Sequence, residues 1–115
     1  MKPTKVYCDS STRAACFILV GQEVRIWPYF APVTVNVGEY QAVILALEEV
    51  KRQELEGIKV LTDSRLVVEQ VRGNWLCRQA HLQPFINEVR RLLSILKATL
   101  EWVPREDNPA GQVLG

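Results

Sequence analysis

Cysteine is scarce and follows no pairing pattern. Cys8, Cys16 and Cys77 make an odd count with no CxxC spacing and no neighbouring histidine, which argues against a disulfide framework and against a zinc site. They are expected to be small buried apolar residues. The single histidine, His81, falls between two expected helices and is given no catalytic part. Long hydrophobic runs are also missing. No stretch approaches the ~18 uninterrupted apolar residues of a membrane span, and Met1-Lys2-Pro3-Thr4 leads into a strand rather than an apolar leader. Neither a membrane segment nor a signal peptide is therefore expected, and the location is read as cytoplasmic. Internal repeats, low-complexity segments and linkers are absent too. At 115 residues, 48% hydrophobic and 23% charged, the composition excludes disorder and fits one domain, residues 1–115, with its own core.

No sign of charge dominates, since 14 Lys and Arg balance 13 Asp and Glu for a net charge of +1. The balance hides an uneven distribution. Residues 65–105 carry seven Lys or Arg against three Glu, while residues 38–63 carry six acids against three bases. Such a pair of segments suits a chain that grips phosphates in one place and cations in another.

The first thirty residues read as strands at Lys5–Asp9, Ala14–Val20 and Glu23–Trp27, the last two joined through Gly21-Gln22 as a hairpin. Pro28 and Pro32 lead the chain out of the sheet. From Gly38 the period changes. Tyr40, Val43, Ile44, Leu47 and Val50 recur at spacings of three and four, predicting an amphipathic helix that ends near Glu56-Gly57. A strand follows over Ile58–Thr62. Ser64 is placed to cap a second helix that stops at Gly73-Asn74, Pro84–Lys97 forms a third with Arg90, Arg91 and Lys97 on a basic face, and Ala98–Val103 is the last strand. The expected order is β-β-β-α-β-α-α-β, an α/β fold with a five-stranded mixed sheet flanked by helices, because a helix between strands three and four implies a parallel crossover.

Three acids fall where this pattern brings strand ends and a helix start to a common edge. Asp9 closes the first strand before Ser10-Ser11-Thr12, Glu39 opens the long helix after Asn36-Val37-Gly38, and Asp63 closes the fourth strand before Ser64. One acid after a strand is commonplace as a turn or cap residue. Three in this order form a candidate site for divalent cations, whose preferred ligands are carboxylate oxygens.

Four strings in order, the strand-end Asp9, Thr34-Val35-Asn36-Val37-Gly38-Glu39-Tyr40-Gln41-Ala42, Leu61-Thr62-Asp63-Ser64 and Trp102-Val103-Pro104-Arg105-Glu106-Asp107-Asn108, resemble the type 1 ribonuclease H family over nearly the whole chain. The resemblance implies the ribonuclease H-like fold and endonucleolytic hydrolysis of the RNA strand of an RNA/DNA hybrid, with Mg²⁺ or Mn²⁺ held by four residues in a two-metal arrangement. Asp9, Glu39 and Asp63 match the first three of the family's carboxylates. The fourth departs: its position is Gln112 here, preceded by Gly111. Asn108 is the preferred replacement, with Gln112 and Asp107 as the other candidates, and the missing acid is expected to weaken metal affinity and to shift preference towards Mn²⁺. By the same resemblance Ser10, Ser11, Thr12, Asn36 and Arg65 would face the hybrid's minor groove, Thr34 would grip a DNA phosphate and Trp75 would pack on a DNA sugar. The Gly73–Gln83 connection is too short for a basic protruding handle, so weak hybrid affinity and strong salt sensitivity are expected. The partner is an RNA/DNA hybrid bound by a monomer. The alternative is a hybrid-binding or RNA-binding module of the same fold, impaired in catalysis by the altered fourth position; a different nuclease of the same broad fold is the third reading.

Overall fold

Two antiparallel hairpin connections come first, and two parallel crossovers follow. In the computed structural model, which describes residues 2–114, β1 (Lys5–Ser10), β2 (Ala14–Leu19) and β3 (Arg25–Pro28) precede α1 (Val35–Arg52). Then come β4 (Lys59–Thr62), α2 (Arg65–Arg72), a 3₁₀ turn at Ala80–Leu82, α3 (Gln83–Leu96), β5 (Thr99–Trp102), a 3₁₀ turn at Arg105–Asp107 and a single turn of helix, α4 (Gly111–Leu114). Met1 and Gly115, the ends of the expected domain, lie outside the described residues. The strands form one sheet in the order β3-β2-β1-β4-β5. β1 pairs antiparallel with β2 and parallel with β4, and β4 pairs parallel with β5. The five-stranded mixed sheet expected from the sequence is therefore present. Among the described residues no helix is long and apolar enough to cross a membrane.

Alternation along the strands turns Val6 and Cys8 of β1, Phe17 and Leu19 of β2, and Val60 of β4 into the core, where they are buried. Tyr40, Val43, Leu47 and Val50 of α1 close over them, and α3 adds Ile86, Val89 and Leu92. Two of the three cysteines, Cys8 and Cys16, are buried as expected, but Cys77 is only half-buried, its Sγ 3.1 Å from the Gln79 carbonyl. β3 forms the sheet edge and is exposed along its length, which is why Pro28, lacking an N–H, is tolerated as its last residue.

The helix ends differ from the expected ones for identifiable reasons. α1 starts at Val35, not at Gly38, because the Thr34 Oγ1 accepts the Val37 N–H at 3.2 Å and caps the helix earlier. Glu39 consequently stands in the second turn rather than at the opening. The same helix stops at Arg52, and Glu54 and Gly57 take left-handed backbone conformations before β4. α2 follows the sequence closely: the Ser64 Oγ accepts the Val67 N–H at 3.3 Å, and Gly73, at φ 83°, lets Gly73 and Asn74 donate back to the Gln70 and Glu69 carbonyls.

Candidate active site and metal centre

Parallel pairing of β1 with β4 sets Cys8 opposite Thr62, so the next residue on each strand, Asp9 and Asp63, emerges at the same sheet edge. Strand carboxyl ends in open α/β sheets are where ligands are bound. α1 delivers the third acid by pressing its second turn against the end of β1. That approach requires glycine at position 38, since a Cβ there would fall 2.5 Å from the Ser10 Oγ and 3.0 Å from the Ser11 carbonyl oxygen. The result is one ligand atom from each of Asp9, Glu39 and Asp63, all within 4.8 Å of one another.

Asp9 and Glu39 are buried and Asp63 half-buried. Burial is the main cause that pushes the Glu39 carboxyl up to about 8, and the charges of Asp9 and Asp63 add to it. Burial and then Asp63 raise the Asp9 carboxyl as well. The Glu39 Oε2 is buried without a hydrogen-bond partner. A buried orphan oxygen and mutually repelling carboxylates are costly in the absence of a counter-charge. Both fit a divalent cation, a hard ion that takes carboxylate oxygens. The protein supplies a partial substitute, because the Arg105 charge lowers both Asp9 and Glu39.

The amide of Asn108, the preferred fourth ligand, is fully buried and turns its nitrogen towards the acids. Its Nδ2 donates to the Cys8 carbonyl at 3.0 Å and lies 3.4 Å from the Asp63 Oδ2, while its Oδ1 accepts the Ala110 N–H at 3.2 Å. A backbone acceptor on one side and a backbone donor on the other fix which atom is nitrogen. Asn108 thus turns an N–H, not its carbonyl oxygen, towards the acids; it braces β1 and Asp63. Of the other candidates, Asp107 is exposed at the end of a 3₁₀ turn and Gln112 is exposed in α4. Gly111 in the same segment also comes up against the acids: a Cβ there would lie 3.5 Å from the Asp9 Oδ2 and 3.7 Å from the Asp63 Oδ2.

A family model described as reverse transcriptase-like matches residues 9–114. The chain belongs to that family. Its fold superposes on the crystal structure of RNase H1 from the halophilic archaeon Halobacterium salinarum with a TM-score of 0.87, at 27% identity over 96% of this chain and 92% of that one. The N-terminal RNase H domain of Rv2228c from Mycobacterium tuberculosis gives 0.78 at 26% identity, covering 96% of this chain and 93% of that chain, which was solved as a fusion with maltose-binding protein. In sequence, the bifunctional protein Rv2228c is 36% identical over 76 residues, 65% of this chain; the match takes in 21% of that relative, so this chain spans about a fifth of the length of the curated proteins it matches. LC11-RNase H1, solved in complex with RNA/DNA hybrid, shares the fold at a TM-score of 0.74 and 21% identity, over 96% of this chain and 99% of that one. The resemblance to type 1 ribonucleases H read from the sequence therefore stands.

Within this family member, the residues expected on the substrate side divide into two groups. Thr12, Thr34, Arg65 and Trp75 are exposed and Asn36 is half-buried. Thr34 spends only its acceptor on the α1 cap, so its hydroxyl proton remains for an anion at the helix N-terminus. Ser10 and Ser11 are committed internally. The Ser10 hydroxyl contacts the Ser11 carbonyl at 2.6 Å and the Tyr29 hydroxyl at 2.7 Å, and the Ser11 Oγ accepts the Arg13 and Ala14 N–H groups, both at 3.1 Å. They shape the turn after Asp9 and do not extend from it. The expected basic face of α3 is likewise spent: Arg90 donates to the Val71 and Gln70 carbonyls at the end of α2, Arg91 pairs with Glu88, and Lys97 pairs with Glu56.

Sequence reasoning missed two residues at the site. Arg105 lay inside a string already singled out, and a cation preceding a ligand position is a readable signal. Trp102 closes the edge strand β5 and is exposed; its Nε1 donates to the Asp63 carbonyl at 3.2 Å and the Arg65 guanidinium stacks 4.6 Å above its ring.

Proposed function

We propose that this chain hydrolyses the RNA strand of an RNA/DNA hybrid at internal positions, as a metal-dependent type 1 ribonuclease H. The observation that carries the reading is the convergence of Asp9, Glu39 and Asp63 within 4.8 Å at the carboxyl edge of parallel β1 and β4, in a family member whose solved relatives include ribonucleases H. Mg²⁺ or Mn²⁺ bound there, one ion or a pair, would activate the attacking water and stabilise the leaving oxygen. Asp9, Glu39 and Asp63 are the residues that would hold the ion, each through a carboxylate oxygen. The chain's own contribution is to exclude water around Asp9 and Glu39, to hold Asp63 through Asn108, and to keep the Arg105 cation where a substrate phosphate approaches. Thr12, Asn36 and Arg65 are assigned to the minor groove, Thr34 to a DNA phosphate and Trp75 to a DNA sugar. Residues 1–115 are read as one domain acting as a cytoplasmic monomer.

A second reading has an observation of its own. No fourth carboxylate joins the three acids among the described residues, and Gly111, which has no side chain, stands beside Asp9 and Asp63. A chain that binds the hybrid and does not turn it over fits that geometry. End-labelled RNA/DNA hybrid, double-stranded RNA and single-stranded RNA, each in Mg²⁺ and in Mn²⁺, separate the two. Internal cuts confined to the RNA of the hybrid, with Mn²⁺ the better ion, are expected. Retained hybrid binding with no cut in either metal identifies the binding module, and a ladder from one end identifies an exonuclease.

A further inference from the structure

A tyrosine outside every motif of the sequence bridges the residues next to the two buried acids. Tyr29 follows β3, where its N–H donates to the Arg13 carbonyl at 2.8 Å, and its ring is half-buried. Its hydroxyl reaches two elements at once, 2.7 Å from the Ser10 Oγ and 3.2 Å from the Gly38 carbonyl oxygen. Ser10 is the residue after Asp9, and Gly38 is the residue before Glu39. Gly38 is also the position where a side chain would collide with Ser10, so the backbones of β1 and α1 meet here without padding, and the phenol oxygen is the group that ties them. The Ser10 proton is directed at the Ser11 and Ala14 carbonyls, 2.6 and 3.2 Å away, so the single tyrosine proton lies between the Ser10 Oγ and the Gly38 carbonyl and serves both contacts.

We infer that Tyr29 is a positioning residue for the metal centre: its hydroxyl clamps the end of β1 to the second turn of α1 and so fixes the separation of the Asp9 and Glu39 carboxylates. The inference rests on the metal-binding half of the proposed function and not on hybrid cleavage. Misplacing one ligand weakens a site whose ion demands fixed geometry. Removing the oxygen alone keeps the ring and its packing, which makes Tyr29→Phe the sharp probe.

The test is Mn²⁺ titration by calorimetry on the metal-free protein, comparing the natural chain with Tyr29→Phe and with Tyr40→Phe. The second variant is the control. It also loses one hydroxyl bond, the 2.7 Å contact from Tyr40 to the Gln70 Oε1, but that bond joins α1 to α2 in the core. Both variants are expected to melt at lower temperature. Only Tyr29→Phe is expected to weaken Mn²⁺ binding, about fivefold to tenfold for one lost hydrogen bond acting through ligand placement. In hybrid cleavage it should recover its turnover at high Mn²⁺ with an unchanged KM for the hybrid. Affinity within twofold of the natural chain overturns the inference, as does equal weakening in both variants. A natural chain that binds Mn²⁺ and leaves the hybrid uncut refutes the ribonuclease reading while the titration still decides this one. A natural chain that binds no Mn²⁺ overturns both.

Discussion

Replacing Glu39 with glutamine should stabilise the metal-free protein, by an amount set by pH. The Glu39 side chain is 9% exposed, and burial first, then Asp9 and Asp63, lift its carboxyl from 4.5 to about 8. Between those two values the native protein retains a proton that the unfolded chain has released. Native stability therefore falls as pH rises through the window, at about 1.4 kcal/mol for each pH unit. Going from pH 4.5 to pH 7 costs the natural chain roughly 3 kcal/mol, and the loss levels off above pH 8. The glutamine variant has no such proton to release and escapes this loss, and its amide N–H can donate to Asp9 as the protonated acid did. Urea unfolding in EDTA at pH 4.5, 6, 7 and 8.5 reads the difference directly. The two stabilities should be close at pH 4.5 and diverge to roughly 3 kcal/mol by pH 7 in favour of Glu39→Gln. A gap that does not change across that range would refute the reasoning, because desolvation and repulsion at Glu39 would then not be what the fold bears. Added Mn²⁺ should narrow or reverse the order, since a ligand of the native state stabilises it according to its affinity and the variant has lost one of three acids.

Glu49 titrates in the opposite sense: Arg52 chiefly, with Gln53 and Arg25, holds its carboxyl at about 2. Its contribution is present above the unfolded value of 4.5 and is lost as pH falls towards 2, so the deficit of Glu49→Gln should be full at pH 6 and shrink below pH 4.5 in thermal melts. Asn108→Ala leaves the Cys8 carbonyl and the Ala110 N–H without their side-chain partners and should cost about 2–4 kcal/mol in urea unfolding; Asn108→Asp should be no milder, because it faces the Asp63 Oδ2 with a second acceptor. If Asn108→Ala keeps full stability, the bracing role fails. Gly111→Asp has room for its Cβ beside Asp9 and Asp63. It should destabilise the metal-free chain by about 2–4 kcal/mol through repulsion and tighten Mn²⁺ binding, with a smaller effect expected from Gln112→Asp, whose position is exposed.

Periodicity carried the architecture because it reports burial: the apolar positions of α1 and the β1 and β4 runs read correctly, and with them the edge where Asp9 and Asp63 emerge. The start of α1 was read late because Val35, Asn36, Val37 and Gly38 are all weak helix formers, while the cap that overrides them is one hydroxyl. What failed was the side-chain hydrogen bonding. Ser10 finds Tyr29 nineteen positions away and Asn108 finds Cys8 a hundred positions away, and nothing in a local string announces such a partner. Arg90 looked like a surface cation for the same reason. Its carbonyl acceptors belong to α2, and the contact exists only once α2 and α3 have packed.

The geometry of the fourth position argues for coupling between metal and substrate. Three carboxylates carry at most three negative charges, fewer than the four positive charges of two divalent ions, and Asn108 offers the cluster a donor instead of an acceptor. Glu39, held near 8, is mostly protonated at pH 7 until a cation displaces its proton. An ion bound there would therefore complete its shell with water or with phosphate oxygens of the hybrid. By linkage, whatever factor the hybrid adds to metal affinity, the metal adds to hybrid affinity. Mn²⁺ titrations with and without an uncleavable duplex should show tighter metal binding in its presence, and hybrid binding should tighten by the same factor when Mn²⁺ is supplied. Equal metal affinity in both titrations would mean that a protein group supplies the missing ligand, and Gln112 would then be the residue to replace first.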